Sequence, residues 1–448
     1  MALTSFRVAL LSYRSKPHCG GQGVYVRHLS RELVGLGHQV EVFSGPPLPE
    51  LDPGVRLTTL PSLDLYREPD PFRTPRLSEF RTPADVLEFG LMRTGSFPEP
   101  LTFSLRARAH LRRRLDEFDV VHDNQSLGYG LLGLPRSGPP VVATIHHPIT
   151  VDRDLELAAA DRWQRRLSLR RWYAFTRMQG RVARRLPWLT TVSESSHRDI
   201  VGAFGVDPDR LRVIGVGVDE TIFHPAEPAP AGSADSTGGA GSAGPAGSAG
   251  GVARIVTVTS ADVPLKGLDD LIEAVAKIRT ERPVELVVVG SARPGGRTDQ
   301  TINRLGLTDA VRFVSGLSDT ELADLFRSAT VAVVPSRYEG FSLPAVEAMA
   351  CGVPLVTTTA GAIPEVVGPD GLAALHVPPA DPGALAAAIG RLLDDPGLRR
   401  RLGTAGRRRV VERFTWRHTA QQTAAWYAEA IAAHAARHDT RPGGRPAC

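Results

Sequence analysis

The chain is poor in the residues that would make it a disulfide scaffold, a membrane-spanning protein or a lysine-rich surface. It has three cysteines in 448 residues, Cys19, Cys351 and Cys448. They are odd in number and far apart, which excludes a disulfide framework and fits a reducing, cytoplasmic compartment. No run of about eighteen apolar residues occurs, so no segment reads as a membrane-spanning helix. The apolar stretch Phe6 to Tyr13 is too short for a signal-peptide core and reads as a first strand. Of 53 basic residues only Lys16, Lys266 and Lys277 are lysines, so each lysine that is present carries information. Acidic residues nearly balance the basic ones; the net charge of +5 favours anionic partners such as nucleotide sugars or lipid surfaces. No nucleic-acid-binding module accompanies that charge, so no nucleic-acid partner is expected. At this length one core is not enough, and two domains are expected.

What is there centres on Pro335-Ser336-Arg337-Tyr338-Glu339-Gly340-Phe341-Ser342-Leu343-Pro344 and the run to Gly352. Before it, the apolar residues 329–334 read as a buried parallel strand. Ser342 is a good N-cap, Pro344 suits a first helical turn, and Gly352 stands where a helix ends. Residues 353–358 then start another strand. The spacing predicts strand, loop, helix, strand, with free backbone N–H groups at Phe341, Ser342 and Leu343 offering a phosphate site. Glu339 and Glu347 flank that helix N-terminus, where accepting hydrogen bonds from sugar hydroxyls is a task suited to carboxylates. The pattern alone is equally an ordinary α/β crossover with two solvated glutamates.

These residues resemble the E-x(7)-E signature, "PS-x-x-EGF-x-LP-x-x-EAMA-x-G-x-P", of the GT4 family of retaining glycosyltransferases with the GT-B fold. The resemblance implies an α/β chain of two facing Rossmann-like domains with the active site in the cleft between them. It implies that Glu339 contacts donor-sugar hydroxyls and Glu347 the ribose. The backbone of Gly340, Phe341, Ser342 and Leu343 would lie along the diphosphate.

In chain order, Val8–Leu11 is a strand and Gly20-Gly21-Gln22-Gly23 a glycine loop. A helix is expected from Val24 to Leu36 and a second strand at 40–43. The loop is as consistent with a tight turn as with a ligand site; the resemblance places Gly21 and Gly23 near the donor phosphate and Gly20 on the acceptor side. Residues 46 to 104 read as loops and irregular acceptor-side structure. Strands ending in His122-Asp123-Asn124-Gln125 and in Ile145-His146-His147 put polar groups at carboxyl ends, where α/β ligands bind. His146 stands at the position of the family's active-site histidine, implying contact with the donor sugar. His122 is evenly placed between a satisfied structural histidine and an acceptor-facing one, and Ser193 falls in a strand end that resembles the family's acceptor side. Residues 162–185 carry nine arginines and no acid. Read as one helix, Arg162, Arg166 and Arg170 form a stripe opposite Leu167, Ala174, Met178 and Val182. Such a segment is either a domain helix with a solvated face or an anionic-membrane contact.

Residues 226–251 are almost all Ala, Gly, Ser and Pro, and read as a flexible linker. The expected organisation is an acceptor-side domain over 1–225, this linker, a nucleotide-sugar domain over 252–410, a helix crossing back over 411–435, and a disordered tail over 436–448. After the strand at 254–259, Ser260 to Gly267 resembles the family's "GR-x(5)-KG", which makes Lys266 a diphosphate ligand; a compact ammonium suits phosphate. The family's arginine is Ser260 here, with Arg293 and Arg337 as substitutes. The usual Pro-Asn of the hinge is replaced by Gly215-Val216.

The expected activity is therefore retaining, metal-independent transfer of a hexose from a nucleotide-diphosphate sugar to a sugar or lipid-linked acceptor such as a cell-envelope glycan precursor. No cofactor beyond that co-substrate is expected. His146, Glu339 and Lys266 carry the chemistry. The rivals are an epimerase on the same fold and a non-catalytic, membrane-associated nucleotide-sugar binder. The expected location is the cytoplasm, with peripheral attachment to the inner membrane face as an extension.

Overall fold

Runs of Val, Leu and Ala bounded by polar residues become parallel strands in the computed structural model, which describes residues 5–15, 21–67, 69–135, 138–226 and 251–439. The chain divides into two compact units, Met1–Ile214 with Trp416–Cys448, and Gly215–Thr415.

The first unit is built on Arg7–Ser12 (β1), Gln39–Ser44 (β2), Arg56–Thr59 (β3), Val120–Asn124 (β4), Val141–Thr144 (β5), Trp188–Thr191 (β6) and Leu211–Val213 (β7). Their order is β3-β2-β1-β4-β5-β6-β7, and every pair is parallel. The order reverses between β1 and β4, the switch point beyond whose carboxyl ends open α/β sheets bind ligands. Crossovers carry helices Gly21–Gly35 (α1), Pro83–Arg93 (α2), Glu99–Leu111 (α3), Thr150–Ala159 (α4), Trp163–Trp172 (α5), Phe175–Ala183 (α6) and Glu194–Phe204 (α7).

The second unit repeats the plan with Ala253–Val258 (β8), Val284–Val289 (β9), Val311–Val314 (β10), Val331–Val334 (β11), Leu355–Thr358 (β12) and Ala374–Val377 (β13), in the order β10-β9-β8-β11-β12-β13. Its switch point lies between β8 and β11. Its helices are Leu268–Arg279 (α8), Arg297–Arg304 (α9), Asp319–Arg327 (α10), Leu343–Ala350 (α11), Ile363–Val367 (α12), Pro382–Asp394 (α13) and Pro396–Arg413 (α14). The last helix, Trp416–Asp439 (α15), returns to the first unit: Trp416 is 2% exposed, stacks on His28 at 5.1 Å and meets the edge of Tyr25.

Several expectations are corrected. The units part at Ile214–Gly215, ahead of the Ala/Gly/Ser stretch, because residues 215–226 pack with the second unit: Val218 N–H donates to Phe414 O, and Arg327 holds the carbonyls of Ile222 and His224. Most of the expected linker, residues 227–250, lies outside the described residues. The last helix is not one element from 411: α14 ends at Arg413 and α15 begins at Trp416, running to Asp439, so residues 436–439 are helical; 440–448 lie outside the described residues. Residues 46–104 hold β3, α2 and the start of α3. Prolines at first-turn positions start both helices, and a buried guanidinium, Arg106, fastens α2 to α3 through Asp85 and Glu88.

The arginine-rich segment also departs from the single helix expected. It breaks at Tyr173-Ala174 into α5 and α6. Met178 and Val182 of α6 enter the core of the first unit, whereas Leu167 of α5 is 41% exposed and Trp163 70% exposed. Packing of Tyr173 with Ala160 and Leu169 decides the break, because a straight helix could not bury both faces. Among the described residues no helix is long and apolar enough to cross a membrane.

Candidate functional site

At the switch point of the second unit, the turn after β8 and the loop after β11 are pressed together. Gly267 sits at φ +64°, and a Cβ there would lie 2.0 Å from Pro335 O, so only glycine lets the Lys266 turn approach. Arg337 N–H donates to Leu265 O at 2.7 Å, and the Arg337 guanidinium grips both Asp270 carboxylate oxygens. That bidentate pair commits Arg337 to structure, which leaves Arg293 of the two substitutes for the arginine replaced by Ser260. Its backbone N–H is held by Asp262, three residues before Leu265.

The closure brings Lys266 Nζ to 2.9 Å from Glu339 Oε1, and Ser336 Oγ donates to the same oxygen at 2.7 Å. Their side chains are 35% and 12% exposed. Glu339 O accepts from Ala362 N–H, and a Cβ on Gly361 would lie 2.2 Å from that carbonyl. Of the residues singled out from sequence, the structure thus unites Lys266, Glu339, Gly340, Phe341, Ser342 and Leu343 in one unit, on either side of one switch point.

Ser342 does not cap α11 as expected. Its backbone is left-handed, φ +83° and ψ 74°, it makes no side-chain cap, and its buried Oγ has no partner. A non-glycine residue in this region is held there against a cost of about 1–3 kcal/mol. Phe341, 7% exposed and edge-on to Phe414 at 5.7 Å, is the side chain that fixes the turn. Among the described residues the first-turn N–H groups of Leu343 and Ala345 make no hydrogen bond, a setting for an anion. One turn on, the Glu347 carboxyl makes no hydrogen bond or ion pair among the described residues. Burial, with a smaller push from Asp319, raises it to about 8.

The first unit places its polar strand ends at its own switch point. His146 Nε2 lies 2.7 Å from Asn124 Oδ1, and its ring meets the edge of Tyr25 at 4.8 Å. Gly21 and Gly23 form the first turn of α1, which starts three residues earlier than expected; Gly23 is buried and Gly21 exposed. Gly20 lies outside the described residues.

Two residues placed on the acceptor side are turned inward, and for His122 the structural of its two readings holds. His122 is 0% exposed and fully partnered, Nδ1 with Tyr427 Oη at 2.5 Å and Nε2 with Thr144 Oγ1 at 2.7 Å; burial drives its pKa to about 3. Ser193, 3% exposed, is the N-cap of α7, accepting from Ser196 N–H at 2.9 Å. His122 lies on a strand buried at every residue, and Ser193 is spent on its helix cap. The sequence places Asn124 and Gln125 at a strand end where ligands bind but assigns neither a role of its own, and it assigns none to Ser336, two residues past β11.

The chain matches the family model "Glycosyl transferases group 1" over residues 251–409 and "Glycosyltransferase Family 4" over residues 19–221. It is 57% identical to an "MMP alpha-(1->4)-mannosyltransferase" of Mycolicibacterium hassiacum across 96% of this chain and 100% of that one. It is 31% identical to a "D-inositol 3-phosphate glycosyltransferase 2" of Catenulispora acidiphila, across 95% of both. Among solved structures, a sucrose-phosphate synthase of Thermosynechococcus elongatus superposes with a TM-score of 0.68 at 25% identity over 96% of this chain and 100% of that one. Anabaena HepE, solved with UDP-glucose, superposes at 0.63 and 18% identity over 96% and 100%, a likeness of fold.

Proposed function

The chain belongs to the group 1 and family 4 glycosyltransferases, and on that premise we propose that it moves a hexosyl group, mannose, from a nucleoside-diphosphate sugar onto a glycan acceptor with formation of an α-(1→4) bond. The choice of mannose and linkage follows the relative at 57% identity. The mechanism rests on one observation, the meeting of Lys266, Glu339 and Ser336 beside the open N-terminus of α11.

The bond that breaks joins the anomeric carbon to the diphosphate, and negative charge develops on the departing phosphate oxygen. The Lys266 ammonium and the α11 N–H groups oppose that charge in place, which is worth several kcal/mol in such sites, about 3 per well-aimed donor. Their positive charge supports transfer without a metal. In the ligand-free protein the ammonium rests on Glu339; with donor bound it turns to phosphate, and Glu339 turns its freed oxygen to sugar hydroxyls. Glu347, unpartnered, takes the ribose. Glu339 is spent on recognition, so no carboxylate is assigned as nucleophile. The acceptor hydroxyl then attacks from the face the diphosphate leaves and gives its proton to the departing phosphate, retaining the anomeric configuration. The exposed arginines of α5, with Trp163 beside them, support a further contact with an anionic lipid surface.

Labelled GDP-, UDP- and ADP-sugars offered with α-mannoside acceptors in EDTA test the reading. An α-(1→4)-extended mannoside is expected. An altered free sugar with no extension, or binding of every donor without turnover, would replace transfer by epimerisation or by sugar-nucleotide binding.

A further inference from the structure

We propose that Asn124 is a positioning residue that locks His146 in the Nε2–H tautomer and so presents a bare Nδ1 lone pair to a substrate hydroxyl. Asn124 Nδ2 lies 3.5 Å from the Gln22 backbone carbonyl, which can only accept. The amide's nitrogen is therefore on that side, and its oxygen is the atom 2.7 Å from His146 Nε2. An amide oxygen cannot donate, so Nε2 carries the proton. Nδ1 is then an acceptor, and it has no partner among the described residues.

The ring is held for this purpose from behind. Gln125 Oε1 accepts from His146 N–H at 2.8 Å while its Nε2 donates to His147 O at 3.1 Å, a two-point clamp on the backbone of the pair. Gln125 itself is left-handed at φ +59° and Leu127 at φ +47°. That unfavourable turn is anchored by the fully buried Asp123 carboxylate, which accepts from Ser126 Oγ and from Leu127 N–H at 2.9 Å, and by Gln179, which donates to Gln125 O at 3.1 Å. Strain of this kind persists where it fixes a functional geometry.

The groups around the imidazole keep it neutral. Tyr25 of α1 presents a ring edge, and its hydroxyl is turned to Thr144. His122 of β4 is enclosed and uncharged. Asp123 is spent on its own loop, and Asp152 of α4 pairs with His147 at 3.1 Å. Among the described residues no carboxylate reaches Nε2. Burial, with His147 and His122 adding to it, lowers the His146 pKa to about 3. A neutral lone pair repels a phosphate oxygen and attracts an O–H, so the group seated at His146 is an alcohol of the sugar substrates, not their diphosphate. That assignment rests on the transferase reading; the tautomer does not.

The test is 15N-histidine NMR of the full chain, with the His146 signals identified by their loss in His146→Gln, together with pH profiles of kcat/KM for the parent and Asn124→Asp. In the parent, protonated Nε2 and unprotonated Nδ1 are expected to persist from about pH 5.5 to 8. Glu347, raised to about 8, and Asp123, raised to about 6, titrate in both proteins, so the readout is the ratio of the two profiles. The Asn124→Asp carboxylate stabilises the imidazolium, and the variant should fall about 10-fold or more relative to the parent from pH 8 to 5.5. A parent spectrum with protonated Nδ1, or a variant profile parallel to the parent's, overturns the proposal. Should the variant not fold, the parent spectrum decides alone. Because the spectrum needs no substrate, absence of transfer leaves it readable.

Discussion

Each unit carries a cluster of cations and carboxylates on an excursion from its sheet, and the two clusters do opposite jobs. In the first, Arg106 is 7% exposed and its guanidinium bridges Asp85 of α2 and Glu88 one turn on. Those carboxylates are filled further: Asp85 accepts from the backbone of Arg81 and Thr82, Glu88 from Ser62 Oγ. In the second, Lys266 is 35% exposed and Glu339 12%, so solvent reaches the pair chiefly at the ammonium. Like chemistry becomes framework where the charges are paired out of reach of solvent, although Arg106 Nε itself has no partner among the described residues, and a candidate site where solvent still reaches the pair. Residue type does not separate the two; exposure does.

The sharpest break of this contrast is Arg106→Ala. It strands two buried carboxylates and should cost about 3–5 kcal/mol of stability, read as a lower Tm with donor affinity in the second unit retained. A change within about 0.5 kcal/mol would place that cluster with the solvated ion pairs.

Glu339→Ala should do the reverse. Turnover is expected to fall about 100-fold or more, as when one aimed polar group leaves an active site. Stability should move by no more than about 1 kcal/mol, since a half-open ion pair contributes little. Full activity in that variant would remove Glu339 from the chemistry.

The smallest effect sharpens the comparison through pH. Glu347 titrates near about 8 in the fold against an ordinary 4.5, so its neutral form is the one the fold prefers. Its contribution is complete below about 4.5 and is lost as pH rises through about 8. Glu347→Gln, permanently neutral, should therefore match the parent in acid and melt a few degrees higher near pH 8 without donor. Parallel melting curves would show the carboxyl solvated.

Much of the second unit was legible because its signals are local. Val331–Val334 is a short β-branched run, Gly352 ends α11 at φ +72°, and a scarce lysine marked its turn. The left-handed Ser342 was not legible, since serine at that position reads as a cap; tertiary packing of Phe341 overrides the local preference. In the first unit α2 and α3 were hidden by proline and arginine, whose role there, starting helices and joining them from inside, depends on partners far along the chain. His122 was undecidable because Tyr427, its hydrogen-bond partner, is 305 residues away.

Gly361, at φ +56°, serves as the mould against which Glu339 is cast. A single methyl there would collide with the glutamate's own carbonyl and swing the carboxylate off its mark. The loop that carries Glu339 can thus be poisoned from behind, by a change that leaves every side chain of the loop itself in place.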